Sequence, residues 1–219
     1  MQNGIAVKAL VTGFEAFGGE EVNPSIEAVR LLPPQIGGLE LATCALPTVF
    51  DRSRAELERA IAAVEPDIVL CVGLAGGRTE LSLERVAINV DDARIPDNDG
   101  HQPIDRPIIA DGPAAYFATL PIKAATVALR AAGLPAAISN SAGTFVCNHV
   151  FYGLMHLAAT RCRPFRGGFL HIPYVPSQAV RYPGSPSLAL DAVVRGIEII
   201  LAVSVEREAD IAVSEGAIS

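Results

Sequence analysis

Tryptophan is absent, and 8 Phe and 4 Tyr supply all the aromatic side chains in 219 residues. The core must therefore be built mostly from Ala, Val, Leu and Ile. Half of the chain is hydrophobic and only 19% is charged, which points to large buried sheets or an interface between copies. An excess of positive charge is also missing: 17 Lys and Arg stand against 24 Asp and Glu, a net charge of −7. That argues against nucleic acid, which is met by a basic patch or stripe, and against an anionic lipid surface. No apolar run reaches membrane-spanning length. Met1 to Lys8 lacks the charged start, long apolar stretch and cleavage site of a signal peptide, so none is expected. Cysteine is scarce and scattered. Cys44, Cys71, Cys147 and Cys162 form no CxxC pair, so neither a zinc site nor a disulfide framework is expected. For Cys44, Cys71 and Cys162 the expectation is a buried, inert thiol.

What is present is an alternation of apolar runs with helical patterns. Strands are expected at Ile5–Val11, Leu39–Leu46, Asp67–Val72, Arg85–Val90, Pro135–Ser139 and Gly168–Ile172. Helices are expected from Asn23 to about Leu32, then at Asp51–Val64, Pro121–Ala132, Phe145–Arg161 and Ser187–Val205. Asn23-Pro24-Ser25 is a helix start, with Asn23 as cap and Pro24 at the first helical position. Gly133 stops another helix. Asp91 to Gly112 is a long Asp-, Pro- and Gly-rich loop, and such loops often carry function. The last dozen residues are expected to fray. Together these predict one domain over residues 1–219, a three-layer α/β/α sandwich with a mostly parallel or mixed central sheet. Its active site should gather at strand ends.

The segment Ser139 to Asn148 runs strand, small-residue turn, helix, and places Cys147 in the first helical turn. A helix start favours thiolate over thiol. Ser141, Ala142 and Gly143 would let a carbonyl approach backbone N–H groups able to hold an oxyanion. A thiolate nucleophile needs a base, and the base needs an orienting group. Of His101, His149, His156 and His171, the last lies near a strand end and is the best base. His149, two residues past Cys147, points away around the helix axis. The carboxylate stays open on position alone among Glu84, Asp91, Asp92, Asp97 and Asp99. Asp97-Asn98-Asp99-Gly100 faintly suggests a calcium loop but lacks the ligand pattern.

Four motifs in order resemble the pyrrolidone-carboxylate peptidase (pyroglutamyl peptidase I) family of thiol peptidases. They are Thr12-Gly13-Phe14-Glu15-Ala16-Phe17-Gly18-Gly19 with Asn23-Pro24-Ser25, and Gly73-Leu74-Ala75-Gly76-Gly77-Arg78 with the stretch Leu81 to Asn98. The third is Ser141-Ala142-Gly143-Thr144-Phe145-Val146-Cys147-Asn148, and the fourth His171-Ile172-Pro173-Tyr174. The resemblance implies Cys147 as nucleophile, His171 as base and Glu84 as third member of a triad. It implies Phe14, Phe17, Thr48, Ile95, Phe145 and Val146 as the lining of a pyrrolidone-ring pocket, and Arg94 as a helper of the oxyanion. It also implies a pyroglutamyl-peptide substrate, no cofactor, and a cytoplasmic homo-oligomer, often a tetramer. Leu74 stands where some members carry Gln and cannot make that hydrogen bond. Arg78 is expected to anchor the Glu84 region. Two other readings are a nucleoside-phosphorylase-like enzyme with phosphate on Gly73 to Arg78, and a ligand-binding protein that kept the fold.

Overall fold

The computed structural model describes residues 7–215. In chain order the elements are β1 (Val7–Phe14), α1 (Pro24–Arg30), β2 (Gln35–Ile36), β3 (Leu39–Leu46), α2 (Phe50–Val64), β4 (Ile68–Leu74), β5 (Leu81–Glu84) and β6 (Val86–Ile88). They continue with β7 (Ala115–Phe117), α3 (Ile122–Ala131), β8 (Ala136–Ser139), α4 (Val146–Thr160), β9 (Arg166–Ile172), α5 (Pro176–Ala179) and α6 (Leu190–Glu206). Seven strands form one sheet in the order β2-β3-β1-β4-β9-β5-β8, and β6 pairs with β7 in a separate two-stranded sheet.

The central strands are apolar on both sides because both faces are covered. On one face Ala9, Val11, Ile68, Leu70, Val72, Leu81, Leu83, Leu170 and Ile172 pack under α1, α3 and α6. On the other, Leu10, Phe14, Val69, Cys71 and Phe169 meet α2 and α4. Period-2 alternation thus sorts each strand into two cores, giving the expected three layers. Each fully buried Leu, Ile or Phe contributes roughly 1.5–3 kcal/mol relative to exposure.

Three expectations need correction. First, the strand expected at Arg85–Val90 is confined to Val86–Ile88, and a second strand precedes it. Leu81–Glu84 belongs to the main sheet, and the chain turns at Arg85, whose N–H donates to Ser139 O at 2.8 Å while its carbonyl accepts from Ala118 N at 2.9 Å. Val86–Ile88 then enters the small sheet.

Second, the tail is tied down over its described part. Asp210 accepts from Lys123 N and Ala124 N, each at 2.9 Å, and so caps α3, whose own cap residue Pro121 offers no side-chain bond. Arg130 grips the Glu215 carboxylate with two contacts of 2.9 Å. Residues 216–219, like Ile5 and Ala6 of the first expected strand, lie outside the described residues.

Third, only Cys71 of the three supposedly inert cysteines is buried. Cys44 is half-buried, and Cys162 is exposed just past the end of α4.

Candidate active site

The site forms where β4, β9 and β5 lie side by side. Gly73 on β4 pairs in parallel with His171 on β9. On the other flank of β9, antiparallel β5 sets Ser82 opposite His171 and Glu84 opposite Phe169. Paired residues share a face, so Gly73, Phe169, His171 and Glu84 all present the side covered by α4.

Glu84, fully buried, accepts from His171 Nδ1 at 2.7 Å through Oε1. Arg78 Nη2 reaches the same oxygen at 3.0 Å and donates to Ser141 O at 3.1 Å. Arg78 therefore is the anchor expected of it, joining the β4–β5 loop, the carboxylate and the turn before α4.

Cys147 enters from the first turn of α4. A Cβ built on Gly73 would lie 2.9 Å from Cys147 Sγ and 2.9 Å from Phe169 Cζ. The sulfur thus sits directly over Gly73, on the face and next to the strand that carry His171. Any side chain at position 73 would displace it, which gives the glycine a packing reason. The His171 ring is held by Phe169, centroids 4.8 Å apart.

Burial and a neighbouring carboxylate act against the helix start at Cys147. Burial, and then the Glu84 carboxylate, push the Cys147 thiol up to about 12, against a smaller opposing pull from Arg78. A helix start offers about 0.3–2 kcal/mol in favour of thiolate, and burial beside a carboxylate acts in the opposite direction. Burial also lowers His171, while the hydrogen bond and charge of Glu84 partly restore it. Burial thus opposes charge on both the thiol and the imidazole, and Glu84 favours the imidazolium.

The remaining expected residues divide by depth. Phe17 and Phe145 are half-buried, with ring centroids 6.3 Å apart, and Phe50 meets Phe145 edge-on at 5.3 Å. Phe14 and Val146 are core side chains, Phe14 lying 6.3 Å from Phe169. Thr48 is buried, donating to Glu15 O at 2.9 Å and accepting from Asn98 N at 3.1 Å. Ile95 and Arg94 are exposed, on the strand of loop that follows Asp92. Asp92 is tied to Thr144 by N–H···O at 3.0 Å and Oγ1–H···O at 2.7 Å. Leu74 pairs with Ile172, and alternation directs it to the opposite face from Cys147.

The Asp97 carboxylate accepts from the N–H groups of Phe50, Asp99 and His101 at 3.0, 2.9 and 2.8 Å. Burial opposes its charge, yet these three donors hold it below the usual carboxylate range. Its role is to cap α2 and close its own loop. In the Gly73–Arg78 turn, a Cβ at Gly76 would fall 2.3 Å from the Tyr174 ring. With Arg78 committed to Glu84, the elements of a phosphate cradle there are used within the chain. No group of three or more potential metal ligands occurs among the described residues.

Two features escaped the sequence reading: Phe50 beneath Phe145, and a buried His149–Asp91 pair at 2.9 Å. The signal for the second was faint, a histidine just past the cysteine and an aspartate opening the long loop.

A buried sheet end that sets a helix-start cysteine against a histidine–glutamate pair defines a thiol hydrolase on an α/β/α frame. The family model for pyroglutamyl peptidase matches residues 7–207. Pyrrolidone-carboxylate peptidase 1 of Ralstonia nicotianae is 59% identical over 203 residues, 92% of this chain and 94% of that protein. The Treponema denticola pyrrolidone-carboxylate peptidase is 49% identical over 97% of this chain and 100% of its own. The crystal structure of pyroglutamyl peptidase I from Bacillus amyloliquefaciens superposes with a TM-score of 0.93 at 47% identity, covering 96% of this chain and 100% of that one. The chain belongs to the pyroglutamyl peptidase family.

Proposed function

We propose that this chain is a cysteine exopeptidase that removes an N-terminal pyroglutamyl residue from peptides through an acyl-thioester. Cys147 is the nucleophile, His171 the general base and then acid, and Glu84 the group that orients and charge-balances the imidazole. The observation that carries this reading is the convergence of Cys147 Sγ and the His171–Glu84 pair over Gly73.

The S–H proton passes to His171 as sulfur bonds to the pyroglutamyl carbonyl carbon. The C–N bond then breaks as the imidazolium returns that proton to the leaving amine. Water adds to the thioester, giving a proton to His171, and the C–S bond breaks with the proton going back to sulfur. Glu84 steadies the imidazolium in both halves. Arg94 and the free N–H groups at the start of α4 stabilise the oxyanion.

A pyroglutamyl group is an uncharged lactam, so its pocket should be apolar and flat-walled. Phe17 and Phe145 form the walls. Phe14 and Val146 back them from the core, Thr48 supplies a fixed polar edge, and Ile95 closes the outer side. One domain, spanning the family match, would carry the whole activity.

Among the described residues no helix is long and apolar enough to cross a membrane, in keeping with a cytoplasmic enzyme. Exposed apolar side chains at Phe117 and Val180 offer surfaces for a homo-oligomer such as a tetramer.

The test is release of a fluorophore from a pyroglutamyl amide and from a matched amide with a free α-amine. The expected result is hydrolysis of the first and at least about 10²-fold slower hydrolysis of the second, since a charged amine would be stripped of water in an apolar slot. Equal rates, or preference for the free amine, would overturn the specificity. A folded chain inert on both would point instead to a binding protein.

A further inference from the structure

We infer that His149 is a positioning residue for Cys147, acting through the buried Asp91. Both side chains are completely shielded from solvent. His149 Nδ1 faces both carboxylate oxygens of Asp91, at 2.9 and 3.1 Å. Asp91 is itself fixed, its backbone exchanging hydrogen bonds of 2.7 and 3.0 Å with Arg106, whose guanidinium stands 3.7 Å from the carboxylate.

The pair belongs to a longer seam. Asn148, next along α4, accepts from Ile88 N at 3.1 Å and donates to the carbonyls of Ile88 at 2.9 Å and Val90 at 3.1 Å. Thr144 and Asp92 close the other end, as described above. Residues 144, 148 and 149 of the nucleophile's turn are therefore stitched to residues 88, 90, 91 and 92. That second segment descends from Glu84 through β6 and runs on to Arg94. Cys147 lies in the middle of the seam and makes none of its bonds. His149 also meets Phe50 edge-on at 5.5 Å, and Phe50 in turn meets Phe145, so the same ring supports the pocket wall.

A purely stabilising role fits these facts less well. A buried charged or polar pair adds little net stability over a well-packed apolar pair of similar volume. What it does add is direction. A ring nitrogen held against both oxygens of a fixed carboxylate limits the rotation of α4 about its axis, and a reacting group must be held within about 0.5 Å and 10–20° of its working geometry. His149 Nε2 is buried and makes no hydrogen bond among the described residues, Asp51 Oδ1 standing 3.9 Å away, so Nδ1 carries the bond that orients the ring.

This inference rests on Cys147 being the nucleophile, and the experiment separates the two. His149→Asn places an amide N–H where Nδ1 stands. His149→Gln places it where Nε2 stands, out of line with Asp91. Each variant is checked for folding by thermal melting, then read by kcat and KM on a pyroglutamyl amide and by the rate at which iodoacetamide alkylates Cys147. The Gln variant is expected to lose about 10- to 100-fold in kcat, the scale of a misplacement near 1 Å. Its KM should stay within about 2-fold and its alkylation should slow in parallel. The Asn variant should keep about a third or more of both rates. The double variant His149→Phe with Asp91→Leu, apolar throughout, should melt near wild type and still show the kcat loss. Equal behaviour of the Asn and Gln variants, or wild-type kcat and alkylation in Gln, would overturn the inference. Alkylation uses no substrate, so it decides the matter even if the pyroglutamyl amide is not cleaved.

Discussion

Replacing Cys147 by serine is expected to lower kcat/KM on a pyroglutamyl amide by about 10⁴-fold or more while leaving the melting temperature within a few degrees of wild type. The sulfur sits against Gly73 and Phe169, in a site where its proton is already hard to remove because burial and Glu84 both raise the thiol. A thiol pushed to about 12 still transfers its proton during attack, when the developing C–S bond helps drive the step. A serine hydroxyl starts from a far weaker acid and a poorer nucleophile, and the same burial opposes its ionisation. The side chain is similar in size, so the fold should tolerate the change. Steady-state kinetics alongside calorimetry check both halves of the statement. Turnover surviving within 10-fold would remove Cys147 from the chemistry.

Replacing Glu84 by glutamine should cost about 10²- to 10³-fold in kcat, somewhat less than the loss seen when the buried carboxylate of a serine-protease triad is turned into an amide. The amide oxygen can still accept from His171 Nδ1, and Phe169 still holds the ring, which tempers the effect. The negative charge is gone, however, and the imidazolium formed in each half-reaction loses its counter-ion. The direction of the pH response follows from the same forces. Burial lowers His171, and the hydrogen bond and charge of Glu84 raise it. Without that charge the histidine falls further, so it stays neutral to lower pH. The acid limb of kcat/KM should therefore move to lower pH even as the maximum drops, and pH-rate profiles of both proteins measure it. A limb that stays in place, or moves up, would mean that Glu84 does not set the histidine's charge.

Much of this was legible in the sequence because the strongest signals are local. Buried strands are apolar runs, and helix starts such as Asn23-Pro24-Ser25 are spelled out by capping chemistry, here with Ser25 N donating to Asn23 Oδ1 at 3.0 Å. The three principal site residues each fall inside a short ordered motif. What stayed hidden depends on pairing at a distance. The break at Arg85, between Leu81–Glu84 in the main sheet and Val86–Ile88 in the small one, follows from partners more than 25 residues away, Ser139 and Ala118. Nor does sequence reveal that β5 and β8 run against β9. Glu84 therefore meets His171 from an antiparallel strand, level with Phe169. The Asp210 cap on α3 joins residues 86 or more apart, so a polar tail read as frayed is anchored. The forces on Cys147 divide in the same way: a helix start is visible in sequence, whereas the burial and the neighbouring carboxylate that oppose it are not.

The most direct test of the whole account is to follow alkylation of each cysteine by iodoacetamide at neutral pH, by peptide mapping, together with loss of hydrolysis of a pyroglutamyl amide. The account predicts that activity falls in step with modification of Cys147 alone, and that added pyroglutamate slows both. Modification of exposed Cys162 is expected to leave turnover unchanged. Full activity after complete modification of Cys147, or loss of activity while its peptide remains unmodified, would contradict it.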